Sequence, residues 1–96
     1  MDERLKEIAD HYGEKAQLEQ LIEESAELIV AVRKYLSKKG VLTKEVLSFA
    51  VVEEIADVEI MTNQIKYLFG IRDDVEKIKA AKIERTLKRI EREGSK

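Results

Sequence analysis

The sequence predicts an all-α protein, and three observations lead to that prediction. The chain has no proline and only 4 glycines in 96 residues, so few positions interrupt a helix. Charged residues make up 40% of the chain and hydrophobic residues 44%, a mixture typical of long amphipathic helices. Hydrophobic residues recur at spacings of three and four, which is the period of a helix. We therefore expect one all-α domain over residues 1–96, with four helices joined by short loops in a bundle.

The first two helices are predicted over residues 2–12 and 14–38. Asp2 is suited to cap the first helix, and Gly13 is suited to end it. Lys38, Lys39 and Gly40 fit the C-terminus of the second helix, because cations meet the negative end of the helix dipole and glycine accepts a left-handed cap. The second helix has a hydrophobic face, with the small polar Ser25 among its members, formed by Leu18, Leu21, Ile22, Ser25, Leu28, Ile29, Val32 and Leu36.

The third helix is predicted to begin after Thr43, its N-cap, and to stop at Gly70. It is hydrophobic on two sides. The broader stripe contains Leu47, Ala50, Val51, Val58, Met61, Ile65 and Leu68, and the far side contains Phe49, Val52, Ala56 and Ile60. A helix that is hydrophobic on both sides is expected to be buried on both sides. We therefore expect a homodimer or homotetramer in which the central helices contact another copy.

The fourth helix is predicted over residues 73–93, where Asp73 and Glu76 have the spacing of a capping box. Its hydrophobic face is thinner than those of the preceding helices, and it consists of Val75, Ile78, Ala80, Ile83, Leu87 and Ile90.

Charge and composition exclude several classes of function. The formal net charge of −2 gives no electrostatic case for nucleic-acid or membrane-surface binding. No segment is apolar over the roughly 18 residues that a membrane span needs, and no secretory signal is recognisable, so a cytoplasmic location is expected. With no cysteine and a single histidine, His- or Cys-based zinc sites are excluded. Metals that prefer oxygen ligands remain.

Two pairs of acidic residues predict such a metal site. Glu24 and Glu27 are three residues apart on the second helix, and Glu54 and Asp57 are three apart on the third. Glu54 falls inside the hydrophobic stripe, where an ionised carboxylate is costly unless it is paired or binds a metal. Four carboxylates from neighbouring helices suit Mg²⁺, with Mn²⁺ as the alternative. The competing interpretation is a buried ion pair between Glu54 and one of the cations Lys79, Lys82 and Arg85.

These residues resemble the MazG-type all-α nucleoside triphosphate pyrophosphohydrolases, which are related to dimeric dUTPases and to phosphoribosyl-ATP pyrophosphohydrolase. The family signature is EExxE followed, after a gap, by ExxD. Here Glu23–Glu27 reads EESAE, the gap runs from Leu28 to Glu53, and Glu54–Asp57 reads EIAD. The resemblance extends from about Tyr12 to Arg89.

The resemblance implies an enzyme that converts a nucleoside triphosphate to the monophosphate and pyrophosphate, clearing non-canonical or surplus nucleotides. It implies that Glu24, Glu27, Glu54 and Asp57 bind Mg²⁺, and that Glu23 is an accessory acid beside the catalytic Glu24 and Glu54. The metal would polarise the phosphates and activate a water. The alternative substrate is phosphoribosyl-ATP. The alternative from another class is a non-catalytic helical oligomerisation module whose charges are structural.

The fourth helix carries a cationic stripe that the resemblance assigns to phosphate binding, composed of Lys79, Lys82, Arg85 and Arg89. Relatives often have an asparagine among these basic residues, and this chain has none after Asn63. The sequence does not identify the residues that would form a pocket for the nucleotide base. Its aromatic candidates are Tyr12, Tyr35, Phe49, Tyr67 and Phe69.

Overall fold

The computed structural model describes residues 1–37 and 43–94, and this part of the chain contains four α-helices and no strand. They are α1 (Glu3–Tyr12), α2 (Glu14–Ser37), α3 (Lys44–Phe69) and α4 (Arg72–Gly94). The prediction of an all-α chain with four helices is confirmed. The C-terminal signal predicted for α2 at Lys38, Lys39 and Gly40 lies outside the described residues. None of the four helices has the length and apolar character of a membrane span.

The predicted helix boundaries depend on identifiable caps. The carboxylate of Asp2 accepts a hydrogen bond from the backbone N–H of Arg4 at 2.9 Å, and Thr43 Oγ1 accepts one from Val46 at 3.2 Å. Gly13 ends α1 with φ 87° and ψ 170°, a conformation essentially restricted to glycine. Gly70 ends α3 in the left-handed region, with φ 63° and ψ 36°. These four predictions are confirmed.

The start of α4 differs from the prediction. The helix begins at Arg72, and the N–H of Val75 donates to the carbonyl of Ile71 at 3.0 Å. Asp73 therefore lies inside the first turn, and the predicted capping box is wrong. The reason is that the left-handed Gly70 ends α3 and changes the direction of the chain within one residue, so the next helix starts almost at once. Asp73 still favours the helix, because its carboxylate lies near the positive end of the dipole.

Helices α2 and α3 form an antiparallel pair, and α1 packs over one end of it. The antiparallel arrangement is fixed by a hydrogen bond from Gln17 Nε2, near the start of α2, to Gln64 Oε1, near the end of α3, at 2.7 Å. Tyr67 Oη donates a hydrogen bond to the carboxylate of Asp10 at 2.8 Å, and this bond connects α1 to α3. The buried hydrophobic residues of this arrangement are Ala9, Ala31, Leu47, Met61 and Ile65.

Several predicted hydrophobic faces are not covered by other described residues of the chain. The α2 face is divided, since Leu18, Leu21 and Leu28 are half-buried between the helices whereas others on this face, such as Ile22, are exposed. The far side of α3 is exposed as well, with Phe49 at 63%. Helix α4 has no buried residue at all. The four helices are thus present, but the packing of α4 into a bundle with the other three is not confirmed in the described part of the chain.

Candidate metal centre

The register of α2 against α3 brings the acidic residues together. Starting from the hydrogen-bonded pair Gln17 and Gln64, seven residues forward along α2 reach Glu24 and seven residues back along α3 reach Asp57. Because both helices advance about 1.5 Å per residue, positions that are opposite at one level stay opposite at the next. Three residues further on, Glu27 and Glu54 are opposite each other. The two acidic motifs therefore belong to one layer of the helix pair.

Three carboxylates converge in this layer. Glu24, Glu27 and Glu54 each place an oxygen so that these atoms all lie within 4.8 Å of one another. Asp57 borders the group, because its carboxyl is close enough to Glu24 to sense that residue's charge. We refer to Glu24, Glu27, Glu54 and Asp57 as the acidic site. Like charges at such separations repel one another, so this arrangement favours a cation among them.

Two carboxylate oxygens of the acidic site are buried without a hydrogen-bond partner. They are Glu24 Oε2 and Glu54 Oε2, one from each helix. The other oxygen of Glu24 accepts a hydrogen bond from Gln20 Nε2 at 2.8 Å, which holds that carboxylate in place. Buried polar atoms in proteins are nearly always partnered, and a carboxylate oxygen that lacks an N–H or O–H donor is suited to a metal ion.

The electrostatics agree with this geometry, since three carboxyl pKa values of the acidic site are raised. The charge of Glu24 raises the pKa of Glu27, and burial adds to the effect. Burial is the main cause of the raised pKa of Glu54, followed by the charges of Glu27, Asp57 and Glu24. Burial and then Glu24 raise the pKa of Asp57. Without a cation, the fold therefore disfavours full ionisation of this site.

The competing interpretation, a buried ion pair to Glu54, is not found in the described part of the chain. Lys79 Nζ lies 3.4 Å from Glu76 on its own helix, and Glu54 Oε2 has no hydrogen-bond partner. Arg89 likewise pairs along α4, with Glu93 at 3.8 Å. The cationic stripe predicted to bind phosphate, Lys79, Lys82, Arg85 and Arg89, lies on exposed positions of α4, a helix that makes no close approach to α2.

Glu23, the predicted accessory acid, is exposed on α2 next to the acidic site. Its charge reaches the site, because it contributes to the raised pKa of Glu27. The carboxyl of Glu23 is not a member of the group of three converging oxygens. Its role stays a prediction.

An open groove of about 330 Å³ adjoins the acidic site, and Glu27 and Glu54 form part of its lining. The rest of the lining is small and apolar apart from one cation: Ala26, Val30, Ala31, Ala50 and Lys34. None of the aromatic candidates for the base pocket, Tyr12, Tyr35, Phe49, Tyr67 and Phe69, lines this groove.

Sequence reasoning missed two residues of this region. Gln20 orients Glu24, and the available signal was its spacing of four residues before that glutamate. Lys34 shares the groove with Glu27, seven residues earlier on the same helix face. Both spacings become informative only when it is known which face of α2 packs against α3. The hydrophobic periodicity of α2 does not by itself identify that face.

Comparisons with protein-family models, with curated proteins and with solved structures gave no match to this chain. The assignment to a family therefore stays a prediction, and it depends on the acidic residues and their placement.

Proposed function

We propose that this protein is a Mg²⁺-dependent nucleoside triphosphate pyrophosphohydrolase that converts ribo- or deoxyribonucleoside triphosphates to the monophosphate and pyrophosphate, and that it clears unwanted nucleotides. The observation that carries the proposal is the pair of buried, unpartnered carboxylate oxygens of Glu24 and Glu54, contributed by two different helices. A purely structural acidic face would turn these oxygens to water. The two motifs that resemble the MazG family coincide with this site.

The donor set fits a hard divalent cation. All candidate ligands in the acidic site are carboxylates, the chain has no cysteine, and its single histidine, His11, is exposed on α1. Mg²⁺ takes a few carboxylates together with water and substrate phosphates, and Mn²⁺ accepts the same ligands. In this proposal Glu24, Glu27, Glu54 and Asp57 hold the ion. When bound, the ion supplies charge neutralisation for the phosphates and a more acidic water.

The chain's own residues position and balance these groups. Gln20 donates to one oxygen of Glu24, which leaves the opposite oxygen directed into the site. Glu54 is fixed by its place in the hydrophobic stripe of α3, between Val51 and Val58. Glu23, exposed beside Glu24, is the accessory acid. Preorganised groups of this kind lower the barrier because they need no rearrangement during the reaction.

The proposed reaction is a hydrolysis at the triphosphate. The bond that breaks is the anhydride between the α- and β-phosphates. The oxygen of one water molecule forms the new bond to phosphorus, and its hydrogens are shared between the products and the solvent. No oxidant or further co-reactant is needed.

The groove beside the acidic site supports a place for the substrate. Its small apolar lining offers room for the uncharged part of a nucleotide, and Glu27 and Glu54, which would hold the metal, form part of the same lining. Lys34 adds a cation to the same groove, where it is able to contact a phosphate oxygen. Within one protomer, Lys34 is therefore a better-placed phosphate contact than the stripe on α4.

The direct test is to incubate the protein with each nucleoside triphosphate, and with phosphoribosyl-ATP, in the presence of Mg²⁺ and to measure pyrophosphate. We expect release that requires Mg²⁺ and disappears in Glu54→Gln. Glu19→Gln is the matched control, because Glu19 is an exposed carboxylate of α2 outside the acidic site. Absence of cleavage of any substrate by the folded protein would contradict the proposal.

A non-catalytic assembly module is the second candidate, and the exposed apolar surface favours it. In the described part of the chain, eighteen large hydrophobic residues are exposed whereas five hydrophobic residues are buried. In that case the carboxylate of Glu54 serves no ligand, and Glu54→Leu should raise the free energy of unfolding with or without Mg²⁺. If Glu54 is a ligand, the same change removes the stabilisation by Mg²⁺.

A further inference from the structure

A second open pocket, of about 380 Å³, lies at the turn between α3 and α4. Four charged side chains in its lining come from three helices: Lys6 from α1, Lys66 from α3, and Arg72 and Asp73 from α4. We call this space and these four residues the junction pocket. Lys66 follows Asp57 by nine residues, which is about 13 Å along α3. The junction pocket shares no residue with the acidic site and is separate from it.

The turn at Gly70 brings these side chains to one place. The N–H of Ile71 donates to the carbonyl of Lys66 at 3.1 Å, so α4 starts directly after the last turn of α3. Lys6 Nζ lies 5.8 Å from the centre of the Tyr67 ring, which places this cation of α1 at the end of α3. A Cβ atom built on Gly70 would meet no atom within 4 Å. The pocket is therefore shaped by the backbone of the turn and is open above Gly70.

The guanidinium of Arg72 lacks an acceptor. Its Nη2 is buried without a hydrogen-bond partner, and none of the hydrogen bonds or ion pairs among the described residues involves this side chain. The residues outside the described ranges, 38–42 and 95–96, contain no acidic side chain. A guanidinium has five N–H donors and stays charged, so covering it without a partner is costly. We therefore expect its acceptor to be a bound anion.

The two lysines of the junction pocket are paired only weakly. Lys6 Nζ lies 3.0 Å from the carboxylate of Glu3, a side chain that is 81% exposed. Lys66 Nζ lies 4.0 Å from the carboxylate of Glu76, which is closer to Lys79, at 3.4 Å. Ion pairs at such exposed positions contribute little to stability, because water competes with them. Both lysines can therefore contact a ligand in the pocket at little cost.

The charge of the lining indicates which anion fits. Three cationic side chains and the acid Asp73 give the lining a net charge of +2. A phosphate group carries close to two negative charges near neutral pH, and a guanidinium binds two of its oxygens at once. A carboxylate carries one negative charge and would leave part of the cationic charge unbalanced. A phosphate dianion therefore matches the lining better than a carboxylate does.

We propose that the junction pocket binds a phosphate dianion, either free phosphate or the phosphate group of a small molecule. Arg72 binds two of its oxygens, and Lys6 and Lys66 neutralise its charge. Among the described residues α4 makes no close approach to α1, so the bound phosphate adds a link between these two helices. The site is independent of the proposed reaction, because it uses none of the residues of the acidic site or of the groove beside it.

The test is isothermal titration of the full chain with inorganic phosphate in the absence of Mg²⁺. Under this condition the acidic site has only carboxylates to offer and does not attract phosphate. We expect saturable binding to one site. Arg72→Gln should weaken it at least tenfold, the loss expected for hydrogen bonds between charged groups. Asp73→Asn should strengthen it, because this change removes an acid from the lining. A merely structural role of the two residues would not produce these opposite changes in affinity.

Arg92→Gln is the matched control, because it removes the same charge from an exposed position of the same helix, far from the junction pocket. It should bind phosphate as wild type does, and circular dichroism checks that every variant is folded. Acetate should not saturate the site. Ribose 5-phosphate distinguishes the two sources of the ligand: tighter binding than inorganic phosphate supports a phosphorylated small molecule, and equal or weaker binding supports free phosphate.

Three results would overturn the proposal. One is a wild-type protein that shows no saturable binding at about 10 mM phosphate, a concentration that nearly fills a site of millimolar affinity. Another is an Arg72→Gln variant that binds as tightly as wild type. The third is an equal loss in Arg92→Gln and Arg72→Gln, which would indicate diffuse attraction to the cations of α4. None of these results depends on whether the protein cleaves a nucleotide.

Discussion

The α2–α3 pair and α4 are similar in sequence character and different in surroundings. All three are amphipathic helices of 23 to 26 residues with interspersed charges. The pair encloses a buried Gln17–Gln64 hydrogen bond and two unpartnered carboxylate oxygens, whereas every side chain of α4 beyond its first turns is exposed.

Hydrophobic periodicity therefore identifies a helix face that needs to pack against another surface. It does not show where in the structure that other surface lies. For α2 and α3 the partner is the neighbouring helix of the same chain. For α4 no such neighbour is present among the described residues. The proposed metal chemistry therefore belongs to the pair and not to α4, and the following predictions test that division.

The largest expected effect distinguishes the helix pair from α4. Mg²⁺ at a hundredfold excess over its dissociation constant should stabilise wild type by about 2.7 kcal/mol. Glu54→Gln should lose this stabilisation, whereas Leu87→Asp on α4 should keep it. Urea unfolding with and without Mg²⁺ measures both. The division fails if the α4 variant loses the effect and the Glu54 variant retains it.

The second effect compares buried contacts of the pair with exposed positions of α4. Gln64→Leu should destabilise the protein by about 1–3 kcal/mol, because Gln17 loses its buried partner. Adding Gln17→Leu should recover most of that loss, since the amide left without its partner is then also gone. In dilute monomer, Ile83→Ala should change the free energy of unfolding by less than about 0.5 kcal/mol. An equal loss for Ile83→Ala and Gln64→Leu would break the comparison.

A smaller effect is expected at Gln20. Gln20→Ala removes the hydrogen bond that orients Glu24, and residues that orient ligands typically contribute about 10-fold to 100-fold in metal affinity. Isothermal titration with Mg²⁺ would measure the change. Gln20→Met serves as a second variant of similar size that cannot donate this hydrogen bond and adds no charge, and it should weaken binding as well. Unchanged affinity in both variants would show that Glu24 is positioned by its helix alone.

The smallest effect is a dependence of stability on pH. Glu54 has a pKa raised above its ordinary value of 4.5, and Glu27 and Asp57 are raised as well. Between the ordinary and the raised values the folded state binds more protons, so stability falls as pH rises through this window. Without metal, wild type should be more stable near pH 5 than near pH 7, by a margin that shrinks in Glu54→Gln. Greater stability near pH 7 without metal would contradict this assignment.

Much of the fold was predictable because its signals are local. Asp2, Thr43, Gly13 and Gly70 each determine a boundary through their own backbone or side-chain geometry, which a sequence displays directly. The acidic site was predictable in part, since spacings of three place Glu24 with Glu27 and Glu54 with Asp57. Gln20 and Lys34 were not predictable, because their roles depend on the register between two helices, which is a tertiary property.

The hydrogen bond between Gln17 and Gln64 has a consequence for how this helix pair tolerates change. Apolar side chains pack almost equally well at several offsets of one helix along another, because their attraction has no direction. Two amides joined at 2.7 Å accept only one offset. This hydrogen bond fixes the register of α2 against α3 about two helical turns from the carboxylates. The surrounding aliphatic residues are therefore free to vary while the spacing between Glu24 and Asp57 is preserved.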